Sequence, residues 1–165
     1  MFCISRFIWI LVFNFHKMTF MEDIAILLGA QRSVNNIGYA LKELLQRANK
    51  SDRVVVGVME CVQILQSNPD EANLCILTET DDVTSQIHHK LVEAFCWEND
   101  IEVIKVDNNK KMEKVLSWNG TLQNVGDFGC VLIKNAETDN FTNDFMENYY
   151  SMLRGEQSPI IDLPE

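Results

Sequence analysis

The sequence predicts an α/β fold, a three-layer α/β/α sandwich on about four central strands. Two observations carry that prediction. Four short runs of β-branched and apolar residues punctuate the chain, and the segments between them repeat their apolar residues at helical spacing. The chain has 165 residues, 47% hydrophobic and 23% charged. That is one domain's worth, enough to bury about two-thirds of the surface its unfolded form exposes, and too apolar for intrinsic disorder. Strands separated by helices imply βαβ-type crossovers and a sheet covered on both faces.

Each element has its own justification. From Ser33 to Lys50 the apolar residues Val34, Ile37, Leu41, Leu44, Leu45 and Ala48 form one stripe of an amphipathic helix, with Ser33 as N-cap. Val54 to Val58 is β-branched apart from Gly57 and reads as a buried strand. A short helix over Glu60 to Gln66 stops at the Asn68-Pro69-Asp70 turn. Leu74 to Leu77 forms a second strand. After the acidic link Glu79-Thr80-Asp81-Asp82, a long helix runs from about Val83 to Trp97. Its stripe is Val83, Ile87, Leu91, Ala94 and Phe95. Ile101 to Val106 alternates as a third strand, and Lys110 to Trp118 is a short helix ending near Asn119-Gly120. Cys130 to Ile133 is the fourth strand. Phe141 to Leu153 is a closing helix that stops at Gly155, and the tail from Ser158 docks as an extended segment.

Charge excludes more than size does. With 14 basic against 24 acidic residues the net charge is −10. Direct, general nucleic-acid binding needs the opposite balance, because neutralising phosphates supplies most non-specific affinity. A basic surface on a partner protein is the natural complement. The cysteines, Cys3, Cys61, Cys75, Cys96 and Cys130, are widely spaced and without a C-x-x-C pair. They read as reduced thiols packed as small hydrophobes, with no metal site and no cofactor.

Residues 1–17 stand apart. Phe2 to Phe15 is almost wholly apolar, yet the uninterrupted stretch Phe7 to Phe13 is far shorter than the roughly 18–20 residues that span a bilayer. A small-x-small cleavage site is missing. The expected organisation is therefore an apolar extension over 1–17 and a domain over 18–165, with Met18 as an alternative start and no membrane partner. Without Arg6 and Lys17 the domain keeps 12 basic against 24 acidic residues, a net charge of −12.

A search for catalytic chemistry finds no nucleophile elbow, no phosphate-binding loop and no dinucleotide fingerprint, so the chain reads as a non-enzyme. His88 and His89 are adjacent on the long helix, about 100° apart around its axis, which suits no metal. His88, beside Ile87, is expected to be packed or at an interface and His89 solvated. Cys96 with a histidine is the nucleophile pair that folding could assemble. Glu79, Asp81 and Asp82 follow the carboxyl end of a buried strand, where α/β proteins collect binding surfaces. They either cap the following helix or form an acidic docking loop for a basic partner groove.

The segment Gln86-Ile87-His88-His89-Lys90-Leu91-Val92-Glu93-Ala94-Phe95-Cys96-Trp97-Glu98-Asn99-Asp100-Ile101 resembles the central signature of the growth arrest and DNA-damage-inducible (Gadd) proteins, forty-five type. Ala40 to Leu45 resembles that family's first helix, Val56 to Glu60 its G-V-Y-E turn, and Asn68-Pro69-Asp70 its D-P-D turn. Met18-Thr19-Phe20 and Leu163-Pro164-Glu165 resemble its two ends, so the likeness covers residues 18–165.

The resemblance implies the kink-turn-binding ribosomal-protein fold and a small stress adaptor of nucleus and cytoplasm. It implies contacts with a MAP kinase kinase kinase, the sliding clamp, a cyclin-dependent kinase and its inhibitor. Homo-oligomers and roles in growth arrest, DNA-damage response and apoptosis also follow. In the superfamily's RNA-binding turn, G-x-N-E-x-x-K, this chain carries Gly57, Met59, Glu60 and Gln63. Met in place of Asn and Gln in place of Lys remove an amide and a cation, so RNA recognition is expected to be weakened or gone. A residual kink-turn RNA binder remains the alternative function.

Two further departures matter. The acidic loop is shorter than the family's, and Trp97 replaces a second cysteine. On the long helix Ile87, Leu91 and Phe95 would pack on the sheet, while Val92, Cys96 and Trp97 form a second apolar strip. That is more apolar surface than one sheet needs, so part of the helix, including Ile87, His88, Leu91, Phe95 and Trp97, is expected to mediate self-association.

Overall fold

The computed structural model describes residues 36–117, 127–135, 140–153 and 159–164. They belong to one compact unit, Asn35–Glu165. The extension over 1–17, the start at Met18, the Ser33 cap, Cys3, the helix end at Asn119-Gly120 and the stop at Gly155 lie outside them.

Helix α1 occupies residues 36–50, and Ile37, Leu41, Leu44, Leu45 and Ala48 are its buried stripe. Strand β1 (Val54–Val56) leads through Gly57 into α2 (Val58–Ser67). A single 3-10 turn, Pro69–Glu71, follows and opens into β2 (Ala72–Thr78). Proline suits that position, because the missing N–H would have no partner in a first turn. Helix α3 (Val83–Glu98), β3 (Glu102–Val106), α4 (Asn109–Ser117), β4 (Cys130–Lys134), α5 (Phe141–Leu153) and β5 (Ile160–Ile161) complete the chain.

Among the described residues the sheet has five strands in the order β1-β4-β2-β3-β5, one more than expected. The extra strand is the tail: Ile160 and Ile161 pair in parallel with Lys105 and Val106. Crossovers are fewer than expected. The β2–α3–β3 unit is parallel, but β4 runs antiparallel between β1 and β2, so the sheet is mixed.

Alternation along β2 and β4 sorts the core into two layers. Leu74, Ile76, Val131 and Ile133 join α1, α4 and α5 on one face. Cys75, Leu77, Cys130 and Leu132 join Cys61 and Leu65 of α2 and Val92 and Cys96 of α3 on the other. The α/β/α sandwich is thus present, with α2 and α3 covering the second face among the described residues. Among the described residues, no helix is long and apolar enough to cross a membrane.

Candidate functional site

At the carboxyl ends of β2 and β3 the chain leaves the sheet and opens a groove of about 830 Å3. Its walls are the Glu79–Asp81 link, the outer turns of α3, and Lys105 and Asp107 at the end of β3. The link is held at both ends. The Glu79 amide donates to the Val106 carbonyl at 2.8 Å, and Gln86 Nε2 donates to the Thr80 carbonyl at 2.8 Å.

The three carboxylates divide their work. Asp82 caps α3: its Oδ2 accepts from the Ser85 amide and from Ser85 Oγ, each at 2.8 Å. Those bonds hold its carboxyl below the ordinary aspartate value. Glu79 and Asp81 are exposed and face the groove. The capping reading therefore describes Asp82, and the docking reading is left to Glu79 and Asp81.

An ion-pair triad forms the opposite wall. Glu93 meets Lys90 at 2.8 Å and Lys105 at 3.0 Å, joining α3 to β3. Burial alone would raise the Glu93 carboxyl, but hydrogen bonds from the two lysines outweigh it and hold the group down. Sequence reading missed Lys105; the i,i+3 spacing of Lys90 and Glu93 was its one local signal.

Helix α3 turns the opposite way from expectation. Val92 and Cys96 pack on the sheet, while Ile87 is 57% and Leu91 56% exposed. Val83 is 66% exposed on the same outward strip, and Phe95 is half-buried at its margin. Valine and cysteine are short, so this face lets the helix sit close above Cys75 and Leu132; the longer Ile87 and Leu91 would hold it off.

The two histidines exchange roles for the same reason. His89, three residues before Val92, is buried against Gly129 and Cys130, whereas His88 is exposed. The His89 ring lies beside Gly129, the residue before Cys130 in β4. Trp97 is 84% exposed and so is not part of the packed Val92–Cys96 strip. The outcome is an uncovered apolar strip, Val83–Ile87–Leu91, bordered by Glu79 and Asp81.

The G-V-M-E turn is the first turn of α2. Gly57 sits at φ +108°, a backbone state that side chains rarely adopt, and its amide donates to the Cys130 carbonyl at 2.9 Å. Met59, Glu60 and Gln63 come together on the exposed side of α2. Met59 and Gln63 stand where the RNA-binding turn has its amide and its cation, and neither can supply the cation that a phosphate backbone needs.

Comparison with known proteins gives a consistent set of relatives. The family model described as "Ribosomal protein L7Ae/L30e/S12e/Gadd45 family" matches residues 39–119. Growth arrest and DNA damage-inducible protein GADD45 beta of Bos taurus is 30% identical over 157 residues, which is 88% of this chain and 98% of the relative. GADD45 alpha of Rattus norvegicus is 30% identical over 149 residues, 80% of this chain and 90% of the relative. GADD45 gamma of Homo sapiens is 31% identical over 137 residues, 78% of this chain and 86% of the relative.

Proposed function

The chain belongs to the growth arrest and DNA damage-inducible GADD45 family, a stress-response family within the L7Ae-like α/β fold, and from that premise we propose that it is a non-enzymatic acidic adaptor. In this reading it regulates a MAP kinase kinase kinase that feeds the stress-activated kinases, and with it cell-cycle arrest and the DNA-damage response. The sliding clamp, a cyclin-dependent kinase and its inhibitor are further partners by family likeness. The protein works in nucleus and cytoplasm as a homo-oligomer.

The observation that carries the reading is the uncovered strip of α3 beside the acidic groove. An exposed apolar strip supplies contact area, and adjacent unpaired carboxylates select a basic partner and speed its approach. Nothing in this arrangement calls for a nucleophile, base or metal.

The test is capture of the kinase kinase kinase from stressed cells by Glu79→Gln/Asp81→Asn. Asp82 is left intact, because it holds the helix start. Capture is expected to fall about tenfold, the loss of roughly 1.4 kcal/mol. Undiminished capture would refute a docking role for the loop.

A further inference from the structure

Trp97 takes no part in seating α3 on the sheet and is 84% exposed. A tryptophan stabilises a fold through the area it buries, so an indole left in water has no structural return at this position. It is not isolated. Trp97 lines a second pocket, of about 380 Å3, between the last turn of α3 and the start of β3. Ile101 and Val103 complete its apolar lining, and Glu93, Asp100 and Glu102 supply the rest. The volume is at the small end of the range for ligand sites, which suits one side chain rather than a length of backbone.

The turn that closes α3 builds this pocket. Asn99 ends the helix, its amide donating to the Cys96 carbonyl at 3.2 Å and its Nδ2 to the Phe95 carbonyl at 2.8 Å. Asp100 then takes φ +54°, a left-handed state that aspartate tolerates better than most side chains. That reversal lets the Ile101 amide donate back to the Cys96 carbonyl at 2.9 Å. The Asp100 amide reaches the Trp97 carbonyl at 3.4 Å, so the carboxylate and the indole belong to one tight turn. A site held this way has little ordering left to do when a ligand arrives.

The open charge at the pocket is negative. Glu93 is already engaged by Lys90 and Lys105. Among the described residues no lysine or arginine pairs with Asp100 or Glu102, and none lies over the Trp97 ring. Glu102 accepts from the Tyr150 hydroxyl, a neutral donor that leaves its charge in place. The last turn of α3 carries Glu98 and no basic residue, at the pole of a helix where a cation is favoured.

We propose that this pocket binds one arginine side chain of a basic protein partner, with the guanidinium stacked on Trp97 and its N–H groups donating to Asp100 and Glu102. Three features select that occupant. A single indole offers one face on which a flat cation can lie. Carboxylates from the turn and from the strand reward a group with several N–H donors, which a trimethylammonium lacks. Lysine can pair with a carboxylate but has no plane to lay on the ring. The pocket lies past the last turn of α3, whereas the Glu79–Asp81 link precedes its first, and it stands whether or not the adaptor reading does.

The experiment titrates the isotope-labelled full-length chain with the blocked peptide acetyl-Gly-Arg-Gly amide at physiological salt and follows amide and indole signals by NMR. Saturable shifts at the Trp97 indole and the Asp100–Val103 amides are expected, with a dissociation constant on the order of 1 mM. Trp97→Ala and Asp100→Asn should each weaken binding about fivefold. Both side chains are exposed, so neither change disturbs the core. Glu79→Gln/Asp81→Asn should bind the peptide as the unaltered chain does, which separates this pocket from the groove. The lysine peptide should bind more weakly. No shift at Trp97, equal binding by Trp97→Ala, equal or tighter binding of a trimethyllysine peptide, or shifts spread evenly over the acidic surface would each overturn the proposal.

Discussion

Single residues on this scaffold carry sharply different burdens. Gly38 on α1 is a site of close approach: a Cβ there would stand 2.2 Å from the Asp162 carbonyl oxygen. That oxygen belongs to the backbone and cannot swing aside. Gly38→Ala should therefore displace the segment around Asp162 and cost about 1–3 kcal/mol, read as a lower midpoint in urea. A midpoint equal to that of the unaltered chain would mean that the tail is not held against α1. Asp82 illustrates a different burden. Its chemistry would suit a docking loop, yet both of its bonds to Ser85 turn inward to α3. Neighbouring carboxylates in one link thus differ in surroundings, Asp82 holding the helix start while Glu79 and Asp81 stay exposed at the groove, a division their sequence does not display.

Among the elements, α3 and β5 depend most on their surroundings. Leu91→Glu places a charge at one end of the exposed strip and should convert any oligomer to monomer at tens of micromolar protein, checked by size exclusion with light scattering. A monomer for both chains would remove self-association from the account. Strand β5 is only two residues long and is held from outside. Asp107 Oδ1 accepts from the Leu163 amide at 3.2 Å, and Lys111 bridges Asp107 and Asp162. Burial would raise the Asp107 carboxyl, but Lys111 and the Leu163 amide hold it below the ordinary value, and Lys111 is in turn pushed up to about 12. A lowered carboxyl stabilises the fold above its unfolded pKa of about 3.9 and stops doing so as pH falls through the folded value. Protection of the Ile161 and Leu163 amides against exchange should accordingly drop at acid pH in the unaltered chain, and Asp107→Asn should flatten that dependence. Equal acid sensitivity in both would place the switch elsewhere.

Much of this was legible in the sequence, and the errors have physical causes. Periodicity located the helices and four of the five strands, and Phe141–Leu153 appears with the bounds its apolar pattern implied. For α3, periodicity offered two apolar strips and no rule for choosing between them; residue size, with Val92 and Cys96 allowing the closer approach, decides it. The order of strands was illegible because pairing depends on residues far apart in the chain. Ile160–Ile161 was too short to announce itself as a strand before its partners Lys105 and Val106 were known. In the groove, Glu79 and Asp81 were foreseeable from their place after β2, whereas Lys105 reaches Glu93 only through the parallel β2–β3 pairing.

Over the whole molecule, charge sets what can approach. With a net charge of −10, a kink-turn RNA meets net repulsion, and the α2 turn offers it Met59 and Gln63 in place of an amide and a cation. Titration at physiological salt should give binding no tighter than about 10⁻⁴ M, the weak end of non-specific association. Submicromolar affinity with a shallow salt dependence would restore the RNA-binding reading.

The position of β4 has a consequence for how the chain acquires its shape. Strands β1 and β2 are separated in sequence only by α2 and one turn, yet in the sheet they never touch, because β4 lies between them. Everything made before β4 therefore lacks its keystone: β1 has no partner, and β2 has one side open. The nascent chain cannot complete a sheet until Cys130–Lys134 has emerged, so collapse is deferred to late synthesis and then engages distant segments together. A chain cut between β3 and β4 would leave two pieces that each lack what the other supplies. Mixed together, such pieces should reassemble by strand insertion, which would make this sheet a natural scaffold for split-protein reconstitution.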